Sequence, residues 1–171
     1  MNTEYTPGKL HPVLQVGCLS ALEITRLPVS FRLLTGTYIL QVKRSRFNQY
    51  AIEPVCPNCK EADEIVEHFL LQCPSLKHVR DPVMCEIWNI LNSIGANTNI
   101  YSPTLLAQAL IDWSTIVPNQ PRFKEKQVAL EFHVRRLFFL LHTERYTGKL
   151  YKLLPGNHGL LGYNVWSRHF I

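Results

Sequence analysis

The chain has 171 residues and lacks several features that would assign a protein class at once. It contains no apolar run of about 18 residues, so we expect no membrane-spanning helix. Its first residues lack the charged and apolar regions of a secretory signal, which favours an intracellular protein in a reducing compartment. Five cysteines are few and odd in number, which argues against a disulfide framework. Strand-like alternation is nearly absent, so the expected fold is mainly α.

The net charge of +5 is unevenly distributed along the sequence. Residues 1–55 carry six Lys or Arg against three Asp or Glu, and residues 122–171 carry nine against three. Residues 56–121 reverse the balance, with three against seven. Two basic flanks therefore enclose an acidic centre. This pattern is compatible with nucleic-acid binding and also with an ordinary solvated surface.

Proline, glycine and the spacing of apolar residues divide the sequence into short helices. We predict helices between residues 28 and 36, 37 and 47, 64 and 72, 81 and 95, 102 and 113, and 122 and 146. Pro28 and Pro82 are expected at the first positions of helices, and Gly36, Gly95 and Gly148 directly after helix ends.

Three cysteines and one histidine form the most informative motif. Cys56, Cys59, His68 and Cys73 have the spacing C-x2-C-x8-H-x4-C. Zinc prefers four tetrahedral ligands of thiolate and imidazole, and Cys3His is one of its structural ligand sets. Four protein ligands leave no coordination position for water, which favours a structural Zn²⁺ over a catalytic one.

The second half of the motif poses a geometric problem. Residues five apart on an ideal α-helix, such as His68 and Cys73, are separated by roughly 140° around the axis. Pro74 offers a solution, because the residue before a proline is pushed out of the α region. Cys73 is then expected to turn back towards the metal from the end of the helix.

The predicted architecture is a set of short helices around a Cys3His zinc knuckle, followed by a helical C-terminal extension. We divide the chain into a poorly defined N-terminal segment, a helical hairpin with the knuckle region, the extension, and an irregular tail. Their bounds are 1–27, 28–80, 81–148 and 149–171.

Other residues near the motif leave alternatives open. His78 is a substitute ligand if His68 is not used, and Cys85 is either a small buried residue of an apolar helix or a spare ligand. The motif itself could be a chance grouping of thiols with a surface histidine. Acidic residues are expected to surround the site with negative charge; they are Glu61, Asp63, Glu64 and Glu67.

The stretch from Phe31 to Arg80 resembles the zinc-binding region of non-LTR retrotransposon reverse-transcriptase polyproteins. The resemblance lies in the string Arg32-Leu-Leu-Thr-Gly36, a basic helix after it, and then CPNC…EHFLLQCP. It implies that Cys56, Cys59, His68 and Cys73 are the zinc ligands and that the module binds nucleic acid. The chain has no Tyr-x-Asp-Asp polymerase signature and no recognisable RNase H set. It therefore looks like a detached C-terminal piece of such a protein, without enzymatic activity of its own.

Two functions from different classes follow. The first is a non-catalytic module that binds RNA or DNA, with single strands favoured because aromatic residues adjoin basic ones. Its candidate phosphate contacts are Lys43, Arg44, Arg46, Lys124, Lys126, Arg135 and Arg136. Phe47 and Tyr50 are candidates for stacking on bases, although core packing is slightly favoured for Phe47.

The alternative is a structural module that docks on other parts of a retroelement polyprotein, with zinc supplying folding energy. An enzyme would need an open metal position or an acid–base pair in a cleft, and the sequence indicates neither.

Overall fold

A computed structural model describes residues 20–48, 51–96, 102–117 and 120–153, with side chains through residue 147. These residues are mainly helical and contain no β-strand, which confirms the predicted fold class. The α-helices are α1 (Ala21–Leu34), α2 (Gln41–Phe47), α3 (Lys77–Ser93), α4 (Pro103–Ile111) and α5 (Lys124–Leu153). A π-turn covers His68–Gln72, and 3-10 turns cover Pro74–Leu76, Trp113–Thr115 and Pro121–Phe123. None of the described helices is both long and apolar enough to cross a membrane. Our predictions for residues 1–19 and 154–171 lie outside these ranges.

Helix α1 begins seven residues before Pro28, where the sequence predicts its start. The Ser20 side chain accepts a hydrogen bond from the Glu23 amide, and the Glu23 carboxylate accepts one from the Ser20 amide. This capping box satisfies two amides at the start of the helix, upstream of Pro28, and the helix continues through the proline. Pro28 is exposed, so its ring clashes with no neighbouring helix. At the other end, Gly36 follows the helix with φ +66°, as predicted.

Two further predicted helix boundaries are wrong, namely the start of α3 and the end of α5. Helix α3 begins at Lys77 because the 3-10 turn opened by Pro74 leads directly into it, and the exposed Pro82 lies inside the helix. Helix α5 continues through Gly148 to Leu153. A glycine lowers helix stability by only about 1 kcal/mol, which does not by itself end a long helix.

Helix α2 begins at Gln41, three residues later than a cap at Thr37, the first residue of the predicted range, would place it. Tyr38 and Leu40 are buried, and Leu40 is extended, so the chain enters the core before it turns into the helix. The first amide of α2, that of Gln41, donates to the carboxylate of Glu64 at 2.8 Å. A residue distant in sequence therefore caps this helix.

Helix α5 is the central element, and α1 and α3 pack along it. Its inward residues Leu130, Leu137 and Leu141 are at most 1% exposed and meet Ile87 and Leu91 of α3 in one core. Burial of each such side chain stabilises the fold by about 1.5–3 kcal/mol. The long helix therefore organises the packing of the other elements.

Buried polar side chains also tie α5 to its neighbours. Glu131 accepts hydrogen bonds from Arg135 on the same helix and from the Trp113 indole after α4. Glu64 accepts two hydrogen bonds from Arg145, at 2.6 and 2.7 Å, and both residues are at most 2% exposed. Burial alone would lower the pKa of Arg145, but the hydrogen bonds and negative charge of Glu64 raise it. This bidentate pair fixes the loop before the π-turn to the C-terminal part of α5.

We expect Glu64→Gln to lower the free energy of unfolding by about 3–5 kcal/mol, because it leaves Arg145 buried without its counter-charge. Equilibrium urea unfolding of the full chain measures the change. The control Glu53→Gln makes the same chemical change at an exposed position and should change stability by less than about 0.5 kcal/mol. Equal free energies of unfolding for Glu64→Gln and Glu53→Gln would contradict a stabilising role of the Glu64–Arg145 pair.

His142 makes stability depend on pH. Its Nδ1 lies 2.9 Å from the Tyr38 hydroxyl, and burial, followed by the charges of Arg145 and Arg32, lowers its pKa from 6.5 to about 4. Between these values the unfolded chain binds a proton that the folded chain does not, so stability falls as the pH falls from 6.5 towards 4.

We therefore expect the melting temperature of wild type to fall more steeply between pH 7 and about pH 5 than that of His142→Gln, which has no imidazole to titrate. Thermal melts monitored by circular dichroism test this. His78→Gln, at an exposed histidine, should keep the wild-type slope. An equal change of melting temperature with pH in wild type and His142→Gln would refute the attribution of this pH dependence to His142.

Candidate metal centre

The first two cysteines lie in a tight loop whose ends are paired. Val55 and Asp63 form an isolated antiparallel bridge, and the Cys56 amide donates to the Ala62 carbonyl at 2.8 Å. Within the loop the Lys60 amide donates to the Cys56 carbonyl at 2.9 Å. Lys60 has φ +61°, a conformation that costs a non-glycine residue about 1 kcal/mol or more. The closed loop brings Cys56 and Cys59 to one side.

The π-turn brings His68 and Cys73 together. The Cys73 amide donates to the His68 carbonyl at 2.8 Å, an i→i+5 hydrogen bond that makes residues five apart neighbours along the turn. The wider turn removes the angular separation expected on an ideal α-helix. Cys73 has ψ 117°, outside the α region, as predicted for a residue before Pro74.

The four side chains converge on one point. The sulfurs of Cys56 and Cys73 are 3.8 Å apart, and the Cys59 sulfur is 3.3 Å from Nε2 of His68. All four candidate ligand atoms lie within 4.8 Å of one another. A tetrahedron with metal–sulfur bonds of about 2.3 Å has sulfur–sulfur edges of about 3.8 Å and sulfur–nitrogen edges of about 3.5 Å. The cluster can therefore hold one metal ion, as the sequence predicts, and its cysteines form no disulfide.

The surroundings of the cluster determine its protonation. Cys56, His68 and Cys73 are buried, and Cys59 is half-buried. Burial raises the pKa of Cys56 and raises that of Cys73 to about 12, whereas burial lowers the pKa of His68. The imidazole is thus in the neutral form that binds metal, and the thiols of Cys56 and Cys73 need a nearby cation to ionise. Backbone amides that donate to the Cys56 and Cys73 sulfurs favour the thiolates.

The alternative ligands lie away from the cluster. His78 is exposed on α3, with Nε2 3.8 Å from a carboxylate oxygen of Glu144. Cys85 is also exposed on α3, so the prediction of a small buried residue is wrong. It lies two positions after the buried Val83, a rotation of about 200° that carries it to the outer face of the helix. Cys18 lies outside the described residues.

The predicted phosphate contacts do not form a single surface. Arg44 and Arg46 are exposed on α2, Lys43 is half-buried there, and Lys124, Lys126 and Arg136 are exposed on α5. Helix α2 adjoins Arg145 through Glu64, whereas Lys124 begins α5 about 30 Å away along the helix axis. Lys124 and Lys126 therefore lie at the other end of α5 from helix α2, and Arg136 lies between the two ends.

Two predictions about individual side chains in these groups are wrong. Arg135 is 1% exposed and pairs with Glu131, because it lies on the face of α5 that enters the core. It cannot contact phosphate. Phe47, for which core packing was favoured, is 80% exposed. Tyr50 lies outside the described residues.

Glu64 has a structural role beyond the acidic surround that the sequence predicts for it. Its carboxylate is fully engaged by Arg145 and by the first amide of α2. The partners Glu64 and Arg145 are 81 residues apart, and no spacing rule connects them.

We expect the purified chain to contain about one metal ion per molecule, and Cys59→Ser to lose it, because three ligands bind a tetrahedral ion far more weakly than four. Metal content by inductively coupled plasma spectrometry is the measurement. Cys85→Ser removes a thiol outside the cluster and should keep the metal. Metal-free wild type after purification without chelators, or full occupancy in Cys59→Ser, would contradict the assignment.

Comparison of the chain with protein-family models, curated proteins and solved structures finds no match. The four converging side chains and the surfaces around them therefore provide the basis for a functional assignment.

Proposed function

We propose that this protein is a zinc-stabilised, non-catalytic module that binds single-stranded nucleic acid through helix α2. The observation that carries the proposal is the exposed Phe47 among three basic side chains on a helix next to the metal cluster. The resemblance to the zinc-binding region of retrotransposon reverse transcriptases supports the same function.

Zinc is the ion that best fits the cluster. Three sulfurs and one imidazole nitrogen are a common structural zinc set, and the sulfur–sulfur distance of 3.8 Å matches a tetrahedral edge. Four protein ligands would fill the coordination shell and leave no site for an activated water. The proposed role of zinc is therefore to hold the Cys56–Cys59 loop and the π-turn together.

Helix α2 presents its basic and aromatic residues on one side. At 100° per residue, Phe47 lies between Lys43 and Arg44 around the axis, and Arg46 lies on the other side of Lys43. Ser45, the one buried residue of the helix, points the opposite way. A phenylalanine flanked by cations suits stacking on an unpaired base while the cations contact the adjacent phosphates.

Burial of an aromatic ring in the core would have been the ordinary outcome for Phe47. Its exposure of 80% leaves apolar area in water that packing does not use. A binding partner with a flat π-face would cover this area. The base of a single strand is such a partner, because stacking on it does not require the separation of paired and stacked bases.

Docking on another protein is the second candidate. It is favoured by Leu22 and Ile24, two apolar side chains of α1 that are each more than half exposed. Concentration-dependent self-association, with no affinity for oligonucleotides, would favour this function over the first.

We expect Phe47→Ala to weaken binding of a fluorescein-labelled oligouridine by about 1–3 kcal/mol, because stacking on one base is lost. Arg44→Gln should weaken binding and reduce the dependence of log K on log[salt] by about one unit, as expected for one lost phosphate contact. Fluorescence anisotropy over a range of salt concentrations measures both.

The matched control for Arg44→Gln is Arg122→Gln, the same charge change at an exposed residue at the far end of α5. It should leave the salt dependence nearly unchanged. Wild-type affinity and salt dependence in both α2 variants would exclude α2 as the binding surface.

A further inference from the structure

Arg26 is a buried cation whose hydrogen-bonding capacity is largely unused. It lies on the face of α1 that packs against α5 and is 9% exposed. Its Nε and Nη1 atoms are buried and have no hydrogen-bond partner among the described residues. Buried guanidinium groups are normally paired, because desolvation of an unpaired charge is costly.

The surroundings of Arg26 are aromatic and basic. Its guanidinium carbon lies 5.3 Å from the centre of the Phe132 ring, a cation–π contact that compensates only part of the lost hydration. Arg136 lies one helical turn after Phe132 on α5 and is exposed. Burial, and next the positive charge of Arg136, lower the pKa of Arg26. Because residues four apart on a helix are neighbours, Arg136 lies beside the Phe132 ring that Arg26 contacts, and the two positive charges favour an anion there.

The nearest carboxylates do not neutralise this pair. Glu23 lies on α1 and its charge acts on Arg26, but its carboxylate accepts hydrogen bonds from the amide and hydroxyl of Ser20. The negative charge of Glu86 on α3 acts on His133, which directly follows Phe132 on α5. Among the described residues, neither acid forms an ion pair with Arg26 or Arg136.

We propose that Arg26 and Arg136 form a binding site for a phosphate group. Arg136 is exposed and borders the site from the solvent side. The Nε and Nη1 atoms of Arg26 are covered, so Arg26 contributes its positive charge and the part of its guanidinium that is not covered. The phosphate is that of a nucleic-acid strand, an assignment that rests on the proposed function. The site lies on the α1–α5 contact, so it is separate from the α2 surface and would give the module a second contact with the same strand.

Nuclear magnetic resonance of the arginine Nε–H groups tests the site directly. The signal of Arg26 is identified by its absence in Arg26→Lys, and inorganic phosphate is titrated into the full-length wild type at constant ionic strength. We expect a saturable shift of the Arg26 signal and at least a tenfold weaker affinity in Arg136→Gln, which alters only an exposed residue. Arg122→Gln is the control with the same charge change and should bind phosphate like wild type.

A second titration identifies the source of the phosphate. An oligouridine without terminal phosphates should displace inorganic phosphate and shift the same Arg26 signal. Displacement supports the strand as ligand. A phosphate-dependent shift that the oligouridine does not reproduce would overturn that assignment and leave a site for small phosphate compounds. No saturable shift with either probe would overturn the site itself.

The outcome is separable from that of the proposed function. Oligouridine binding that Arg44→Gln weakens, but that leaves the Arg26 signal of wild type unchanged at saturation, would support α2 and reject the second site as a contact with the strand. Absence of any oligouridine binding would reject the proposed function, and the inorganic phosphate titration would still decide whether the Arg26 site exists.

Discussion

The buried ion pair between Glu64 and Arg145 is the constraint on which the rest of the arrangement depends. One carboxylate accepts two hydrogen bonds from the guanidinium and a third from the first amide of α2. It thereby joins three segments: the basic helix, the loop that leads to the metal ligands, and the end of the longest helix. An ion pair desolvated to this degree is favourable only when its geometry is satisfied, so the three segments have one compatible arrangement.

The metal cluster and this ion pair stabilise the same small region from two sides. Residues 51–76 contain a π-turn, a short 3-10 turn and the isolated Val55–Asp63 bridge, and no long helix. The cluster links the loop to the π-turn from within, and Glu64 links the region to α5 from outside. Tyr38 adds a third link, since it stacks on Phe69 of the π-turn and contacts His142 of α5. The region is thus held by these specific contacts together with the burial of Phe69, Leu70 and Leu76 in the core.

Local sequence patterns predicted the fold class and the four converging side chains because both depend on short spacings. The same patterns failed where longer-range contacts decide. Pro28 does not begin a helix, since a capping box upstream already does so, and α2 begins late because its cap comes from Glu64. Arg135 and Phe47 were assigned to the wrong environments because a helical residue faces core or solvent according to the packing of its whole helix. The pairing of Glu64 with Arg145 could not be predicted, since it joins elements whose relative placement only the folded chain defines.

The π-turn has a consequence for the spacing of the candidate ligands. A π-turn contains one residue more than an α-turn, and here it lies between two candidate ligands without moving either away from the centre. With one residue fewer between His68 and Cys73 an ordinary α-turn would form, in which residues four apart also share a face. The shorter spacing C-x2-C-x8-H-x3-C is therefore also compatible with one shared centre.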